Sequence, residues 1–333
     1  NPISGTATFP ITSVWARIIK KKLLGYSRVY NITVHPFHNY IANGTIAHNC
    51  PFPCLFCGMR MSPSFRRVRI RNSESVINEM REIYQQYGFR GFFFLDDELN
   101  VNPNFLKDLR AMAELQQELG VDFVLRGFIK SNLFNEAQAC AMREVGFKQI
   151  LIGFEAADDR ILLNVKKKAT LAQNTRCMEI AHKYGLKVKA LMSIGHPGEN
   201  RQTVEAIHKW LIDVKPSDFD ITIITTYPST PYFDFAVPIS KDVWAYTADN
   251  GDKLYSYDVN FSRDGSYYKG ISGEYKSYVF TDYLGAEELA GMRDWAEKET
   301  RHKLGIPFYP VSPATRFEAS MGMLPGHILR KSA

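Results

Sequence analysis

Long apolar runs are missing from this 333-residue sequence. Nothing in it approaches the roughly 20 consecutive apolar residues that a membrane span requires, and the first residues show no basic stretch followed by an apolar one. Cysteine is scarce, and three of the five cysteines crowd into eight residues, which excludes a disulfide framework. Thiols left free in this way suit a reducing compartment, and the expected location is cytoplasmic. Charge of one sign is also modest. A net charge of +6 fits an anionic cofactor or substrate but is too small and scattered to argue for nucleic acid. The runs Lys20-Lys21-Lys22 and Lys166-Lys167-Lys168 read as solvated faces. There is no low-complexity tract. The chain opens on Asn1 rather than Met, so a fragment or processed product is expected.

What is present begins with Cys50-Pro-Phe-Pro-Cys54-Leu-Phe-Cys57, a C-x3-C-x2-C spacing. Three thiolates this close can reach three irons of one cubane and leave the fourth without a protein ligand. An open iron can do chemistry as well as carry electrons. A zinc ribbon would need a second C-x2-C knuckle, which the sequence lacks. Cys140 and Cys177 fall in amphipathic helical patterns and read as small buried hydrophobes, so no second cluster is expected.

Residues 11–49 read as β-rich, with Asn43-Gly44 as a turn signal. From Cys50 on, helical patterns alternate with short apolar strands. The expected helices are Ser73–Tyr87 with Ser73 as its cap, Asn104–Leu119, Asn135–Val145, Leu171–Tyr184 and Arg201–Val214. The expected strands are Gly91–Leu95, Phe123–Gly127, Gln149–Gly153, Lys187–Ile194 and Asp218–Thr226. Repeated βα units predict an α/β fold with a parallel sheet and chemistry at the C-terminal strand ends. The marked polar residues collect there: Asp96-Asp97-Glu98, Arg126, Glu155 and Gly195-His-Pro-Gly-Glu199. After Pro238 the alternation stops. Residues 239–283 are rich in Tyr, Ser, Gly and Asp, and Ala286–Leu304 is a further helix pattern.

The cysteine spacing and the downstream order of motifs, over roughly residues 50–235, resemble the radical S-adenosylmethionine (radical SAM) superfamily. The resemblance implies a partial (βα)6 TIM-like barrel whose first strand precedes Cys50. It implies a 4Fe–4S cluster on Cys50, Cys54 and Cys57, with SAM bound at the open iron and cleaved to a 5′-deoxyadenosyl radical. In such enzymes Asp96, Asp97 and Glu98 would accept hydrogen bonds from the SAM ammonium. Arg126 would reach toward its carboxylate or ribose, and Phe56 would pack beside the adenine. Gly153 and Glu155 fit the strand whose backbone lies along the adenine. Lys168 before Ala169-Thr170 is also characteristic, as is the Gly195-x-Pro197-Gly198-Glu199 corner, whose amides would face the cofactor.

The wording of these motifs is similar to the subgroup that often carries a cobalamin-binding domain ahead of the barrel. Tyr227-Pro-Ser-Thr-Pro231 fits too, but the Asp-x-His-x-x-Gly loop for that cofactor is absent from the sequence. Cobalamin is therefore implied by kinship alone. The segment from Val29 to Asn49 resembles the C-terminal end of an intein. Asn49 would cyclise to cut the bond to Cys50, His48 and His38 would assist, and Cys50 would be the splice-junction nucleophile. Asn31 stands where that pattern often has Asp. On this view the chain is a split or unspliced precursor with an N-terminal intein partner.

The organisation expected is an intein remnant over 1–49, a radical SAM barrel over 50–238 and a mixed C-terminal, substrate-side extension over 239–333. The activity expected is radical hydrogen abstraction from a small-molecule or peptide substrate, with electrons from a flavodoxin or ferredoxin. Methyl transfer with cobalamin and a cobalamin-independent dehydration, epimerisation or oxidation both stay open. So does a host enzyme that is inactive in its unspliced form.

Overall fold

The computed structural model describes residues 51–57, 70–228, 230–259, 273 and 275–308. The expectations for residues 1–50 and for a first barrel strand lie outside these residues. Residues 47–333 make one compact unit.

A parallel sheet forms from β1 (Gly91–Phe94), β2 (Val124–Phe128), β3 (Phe147–Glu155), β4 (Lys187–Ile194) and β5 (Asp218–Ile223), in the spatial order β1-β2-β3-β4-β5. The helices are α1 (Ser73–Tyr87), α2 (Phe105–Leu119), α3 (Glu136–Glu144), α4 (Asp159–Val165), α5 (Leu171–Lys183) and α6 (Arg201–Val214). When every strand is followed in space by the next in sequence, right-handed crossovers put all connecting helices on one face. The winding is that of a barrel, not of a sheet covered on both sides.

The strands read accordingly. On β4, Val188, Ala190, Met192 and Ile194 are buried in the apolar core. The alternate residues Lys189 and Ser193 turn to the other, inner face, where they meet Asp218, Asp220 and Glu155. Helix starts follow their caps. Asn72, rather than the expected Ser73, caps α1 by accepting from the Glu74 amide. Capping boxes open α5 at Thr170 and Gln173 and α6 at Asn200 and Thr203. The short α4 was not expected. Its seven residues give too little periodicity to read, although Asp158 caps it in the usual way.

The C-terminal region departs furthest from expectation. After a short α7 (Pro231–Asp234), an antiparallel sheet is built from β6 (Val237–Ser240), β7 (Val243–Thr247), β8 (Lys253–Tyr257) and β9 (Val279–Thr281). The boundary drawn at 238 cuts β6. One face of this sheet, through Tyr246, Leu254 and Val279, joins the same apolar core as the parallel strands. Helix α8 (Ala286–Leu304), with the limits expected, packs on α6 and on β5.

β5 is an edge strand among the described residues, and side chains cover its outward backbone groups. Arg301 donates to the Phe219 carbonyl at 2.5 Å and Arg293 to the Ile221 carbonyl at 2.9 Å. The Ile223 amide donates to the Tyr275 hydroxyl at 3.2 Å. An exposed sheet edge is a template for wrong pairing, and α8 closes this one with guanidinium groups. No helix of the described residues is long and apolar enough to cross a membrane.

Candidate active site at the C-terminal strand ends

The cysteine loop sits over the ends of the parallel strands. The Leu55 amide donates to the Val165 carbonyl at the end of α4 (3.0 Å), and the Cys57 amide to the Cys54 carbonyl (3.3 Å). Cys54 is buried and Cys57 half-buried, while Cys50 lies outside the described residues. Phe56 meets the His196 ring edge-on at 5.3 Å, and the Lys130 ammonium lies 4.8 Å from the centre of the Phe52 ring. The loop is thus fastened to segments that follow β2, β3 and β4.

Beneath it lies a buried hydrogen-bonded chain. Lys167 Nζ donates to Glu155 Oε1 at 2.9 Å, and Ser193 Oγ donates to Glu155 Oε2 at 2.8 Å. Ser193 Oγ is also 2.8 Å from His196 Nε2. A hydroxyl has one proton. Since Ser193 gives it to Glu155, Nε2 of His196 must carry hydrogen and donate to Ser193. Burial lowers the His196 pKa to about 4, so the ring is neutral and Nδ1 is a bare acceptor. That atom is buried and has no hydrogen-bond partner among the described residues. Burial pushes the Glu155 carboxyl up, but Lys167 and the Ser193 hydroxyl outweigh it and hold the group below its ordinary value.

Gly153 is needed for this packing, because a Cβ there would stand 2.6 Å from Glu155 Oε1 and 3.0 Å from Lys167 Nζ. Glu155 itself holds a left-handed φ of 67° where β3 shifts register. That strain is retained at the one residue carrying the carboxylate.

Lys130 and Glu98 complete the group. Asn100 clasps the Lys130 backbone on both sides, and Lys130 Nζ donates to the Lys167 carbonyl at 2.8 Å. Burial, then the Lys167 charge, lowers the Lys130 ammonium to about 8. Burial raises Glu98 to about 7 against the pull of Lys167 and Lys130, with Asp97 adding to the rise. Its Oε2 is buried with no hydrogen-bond partner among the described residues. The Cys54 thiol is pushed up by burial while Lys167 and Lys130 pull it down.

The corner after β4 is held from within. The amides of Gly195 and His196 donate to Glu199 Oε2 at 3.1 and 3.3 Å, and Thr203 donates to Oε1 at 2.6 Å. Those two amides were expected to face a cofactor. They are instead taken up by Glu199, which burial raises to about 7. Pro197 and Gly198 offer their carbonyls to Asn164 (2.9 Å) and Arg160 (2.8 Å).

The structure therefore brings Cys54, Phe56, Cys57, Glu98, Gly153, Glu155 and the Gly195–Glu199 corner to one end of the sheet. Asp96 is exposed and Asp97 half-buried at the end of β1. Arg126 is set apart. It lies on the inner face nearer the N-terminal strand ends, 5.2 Å from the centre of the Phe93 ring, and Asp218 and Asp220 are the charges that bear on it. Sequence reasoning missed Lys130, Ser193 and His196, and it misread Lys167. In the Lys166–Lys168 run Lys168 is solvated as expected and Lys166 partly so, but Lys167 is only 5 % exposed. Lys166 and Lys168 both take a left-handed φ of 55°, and this turns the residue between them inward.

The donor set has a definite chemical preference. Thiol ligands select iron–sulfur clusters and other soft metals. The unpartnered Glu98 oxygen suits a cation such as an ammonium, and the Lys130 and Lys167 ammoniums suit a carboxylate. These are the groups that SAM and a three-thiolate cluster would require.

Comparison with known proteins agrees. A family model described as the Radical SAM superfamily matches residues 45–211. A protein of Pyrococcus horikoshii named uncharacterized methyltransferase PH0819 is 32 % identical over 210 residues, 61 % of this chain and 44 % of that protein. An anaerobic magnesium-protoporphyrin IX monomethyl ester cyclase from Rubrivivax gelatinosus is 26 % identical over 199 residues, 60 % of this chain and 35 % of the cyclase. Among solved structures, the radical S-adenosylmethionine methyltransferase TsrM from Kitasatospora setae, with cobalamin and a 4Fe–4S cluster bound, superposes with a TM-score of 0.53 at 19 % identity. The superposition covers 60 % of this chain and 41 % of TsrM, and it shows a shared fold. The chain spans less than half the length of these curated relatives.

Proposed function

The chain belongs to the radical SAM superfamily, and from that premise we propose that Cys50, Cys54 and Cys57 hold a 4Fe–4S cluster beside a bound SAM molecule. When bound, these groups supply reductive cleavage of the sulfonium to a 5′-deoxyadenosyl radical that takes hydrogen from a substrate. One observation carries the reading: Cys54 and Cys57 stand among Lys130, Lys167, Glu98 and Glu155 at the C-terminal strand ends. Glu155 fixes Lys167 where it can meet a carboxylate, Glu98 offers a free oxygen to an ammonium, and Phe56 supplies an apolar ring for the adenine. Gly153 leaves room for the Glu155–Lys167 pair over the strand.

We extend the reading to methyl transfer onto a small molecule or peptide. The relative PH0819 is named a methyltransferase, and the fold neighbour TsrM is a methyltransferase with cobalamin bound. Cobalamin would be held by residues other than those described. A flavodoxin or ferredoxin would deliver electrons, and such chemistry suits the cytoplasm.

Electron paramagnetic resonance on the anaerobically reconstituted, reduced chain tests the core of this. A cluster signal that changes on adding SAM is expected. Replacing Cys54 with Ala should abolish both the signal and the bound iron while leaving the circular dichroism of the fold. Iron bound without any response to SAM would overturn the reading. An absolute requirement for added cobalamin would separate methyl transfer from the cobalamin-independent reactions.

The order His38, His48, Asn49, Cys50 supports a second reading, in which the segment up to Asn49 is the C-terminal end of an intein. Asn49→Ala should then block cleavage of the 49–50 bond, read by mass spectrometry in the presence of an N-terminal partner. Identical behaviour of variant and parent would dispose of this.

A further inference from the structure

The β7–β8 turn stands outside the parallel sheet, yet it reaches into the corner beside the site. Asp252 Oδ2 accepts from Arg160 Nη1, Asn164 Nδ2 and Asn250 Nδ2, each at 2.8 Å. Arg160 and Asn164 also bond the corner itself, through the Gly198 and Pro197 carbonyls. The Gly198 amide returns a long bond to the Lys253 carbonyl at 3.4 Å, and Thr281 on β9 donates to the Glu199 carbonyl at 2.7 Å. Gly198 has a φ of 79°, and a Cβ on it would collide with Asp252 Oδ2 and Arg160 Nη1. The glycine serves the clamp, because only a bare backbone lets the carboxylate come this close.

The arrangement joins two parts of the site that are remote in sequence. Arg160 and Asn164 lie on α4, whose last carbonyl, Val165 O, anchors the cysteine loop and whose exit presents Lys167. The corner carries His196, whose ring meets Phe56 and hydrogen-bonds Ser193. One carboxylate oxygen therefore ties the support of the cysteine loop to the support of His196.

We propose that Asp252 is a positioning residue for SAM: from the C-terminal sheet it sets the spacing between the α4 exit and the Gly195–Glu199 corner, so its loss weakens SAM binding without removing the cluster. This rests on the radical SAM reading of the site. A merely structural tie predicts something different. Arg160 is more than a third exposed, and an ion pair of that kind contributes little to stability. Asp252 instead reaches the corner through Arg160 and Asn164, so a positioning role acts on affinity through the geometry of those supports.

The test uses the full chain, reconstituted anaerobically, with the SAM concentration that half-saturates the change in the cluster signal as readout. Asp252→Ala should raise that concentration well beyond about twofold, at the iron content of the parent. Arg160→Gln should do the same from the other side, and the Arg160→Gln/Asp252→Asn pair should be less than additive. Asp249→Asn, which removes only the outlying pair of this exposed residue with Lys166, should leave half-saturation unchanged. Half-saturation within about twofold of the parent in Asp252→Ala overturns the proposal. If Asp252→Ala fails to load iron, Asp252→Asn, which keeps acceptors for Asn164 and Asn250, and Arg160→Gln decide it by the same threshold. A parent that binds iron and ignores SAM defeats the underlying reading instead, and the proposal with it.

Discussion

The inner face of the parallel sheet buries charge at both ends, and the two ends differ in what that charge is gathered around. Toward the N-terminal strand ends, Lys189 lies 3.1 Å from Asp218 and 3.0 Å from Asp220. Arg301 meets Asp218 and Glu297, each at 3.1 Å, and Arg293 pairs with Glu297 and Asp294. The same two arginines bond the carbonyls of the β5 edge. Toward the C-terminal ends, Lys167, Glu155, Ser193 and His196 are equally buried, but Glu98 Oε2, His196 Nδ1 and the Tyr232 hydroxyl have no hydrogen-bond partner among the described residues. Buried charge alone therefore does not mark a site. What marks the C-terminal end is the thiol loop above it, with Cys54 in the field of Lys167, Lys130, Glu155 and Glu98.

The contrast can be broken most forcefully at the N-terminal end. Glu297→Ala leaves two buried guanidiniums facing each other and should lower the unfolding free energy by about 3–5 kcal/mol. Denaturant titration measures the loss, and SAM half-saturation of the folded fraction should stay where it was. A large change in SAM affinity with unchanged stability would mean that the two ends are not distinct.

A smaller effect sharpens the C-terminal end through pH. Glu199 is raised from 4.5 to about 7 by burial, against the hydrogen bonds from Thr203 and the His196 and Gly195 amides. A carboxyl raised in the native state keeps its proton where the unfolded chain has lost it. Stability then falls as pH rises through that window, by about 3 kcal/mol in all, and the loss is complete above the native value. Glu98 adds a slope of the same sign. Glu199→Gln should flatten a good part of the decline in unfolding free energy between pH 5 and pH 8, and an unaltered slope would refute the assignment.

The smallest effect is expected at Tyr232, whose ring lies 4.8 Å from that of Tyr246 and whose buried hydroxyl has no hydrogen-bond partner among the described residues. Tyr232→Phe removes an unanswered polar atom and should leave stability unchanged or raise it by about 1 kcal/mol. A loss of several kcal/mol would show that the hydroxyl is bonded after all.

Much of the parallel region was legible in the sequence because periodicity and caps agree there. The limits of α6, α8 and β4 follow from apolar spacing, and the cysteine loop is visible in its own residues. The antiparallel sheet was not legible. β6 is exposed at every position and contains Pro238, and β7 and β8 owe their place to cross-strand partners such as Tyr246 and Leu254. The site was readable where chemistry is local, as in Gly153-Phe-Glu155, and unreadable where it depends on chain reversal. Lys167 looks like any lysine in a basic run until two left-handed neighbours turn it inward. Asp252 acts on residues about 90 positions earlier, and spacing carries no trace of that.

The guanidinium closure of β5 also imposes an order in time. Phe219 and Arg301 are 82 positions apart, so β5 leaves the ribosome long before its cover does. At synthesis rates of about 5–20 residues per second, the strand waits roughly 4–16 s for α8. A parallel sheet formed in that interval would have one unguarded border, and factors that shield emerging chains would act there.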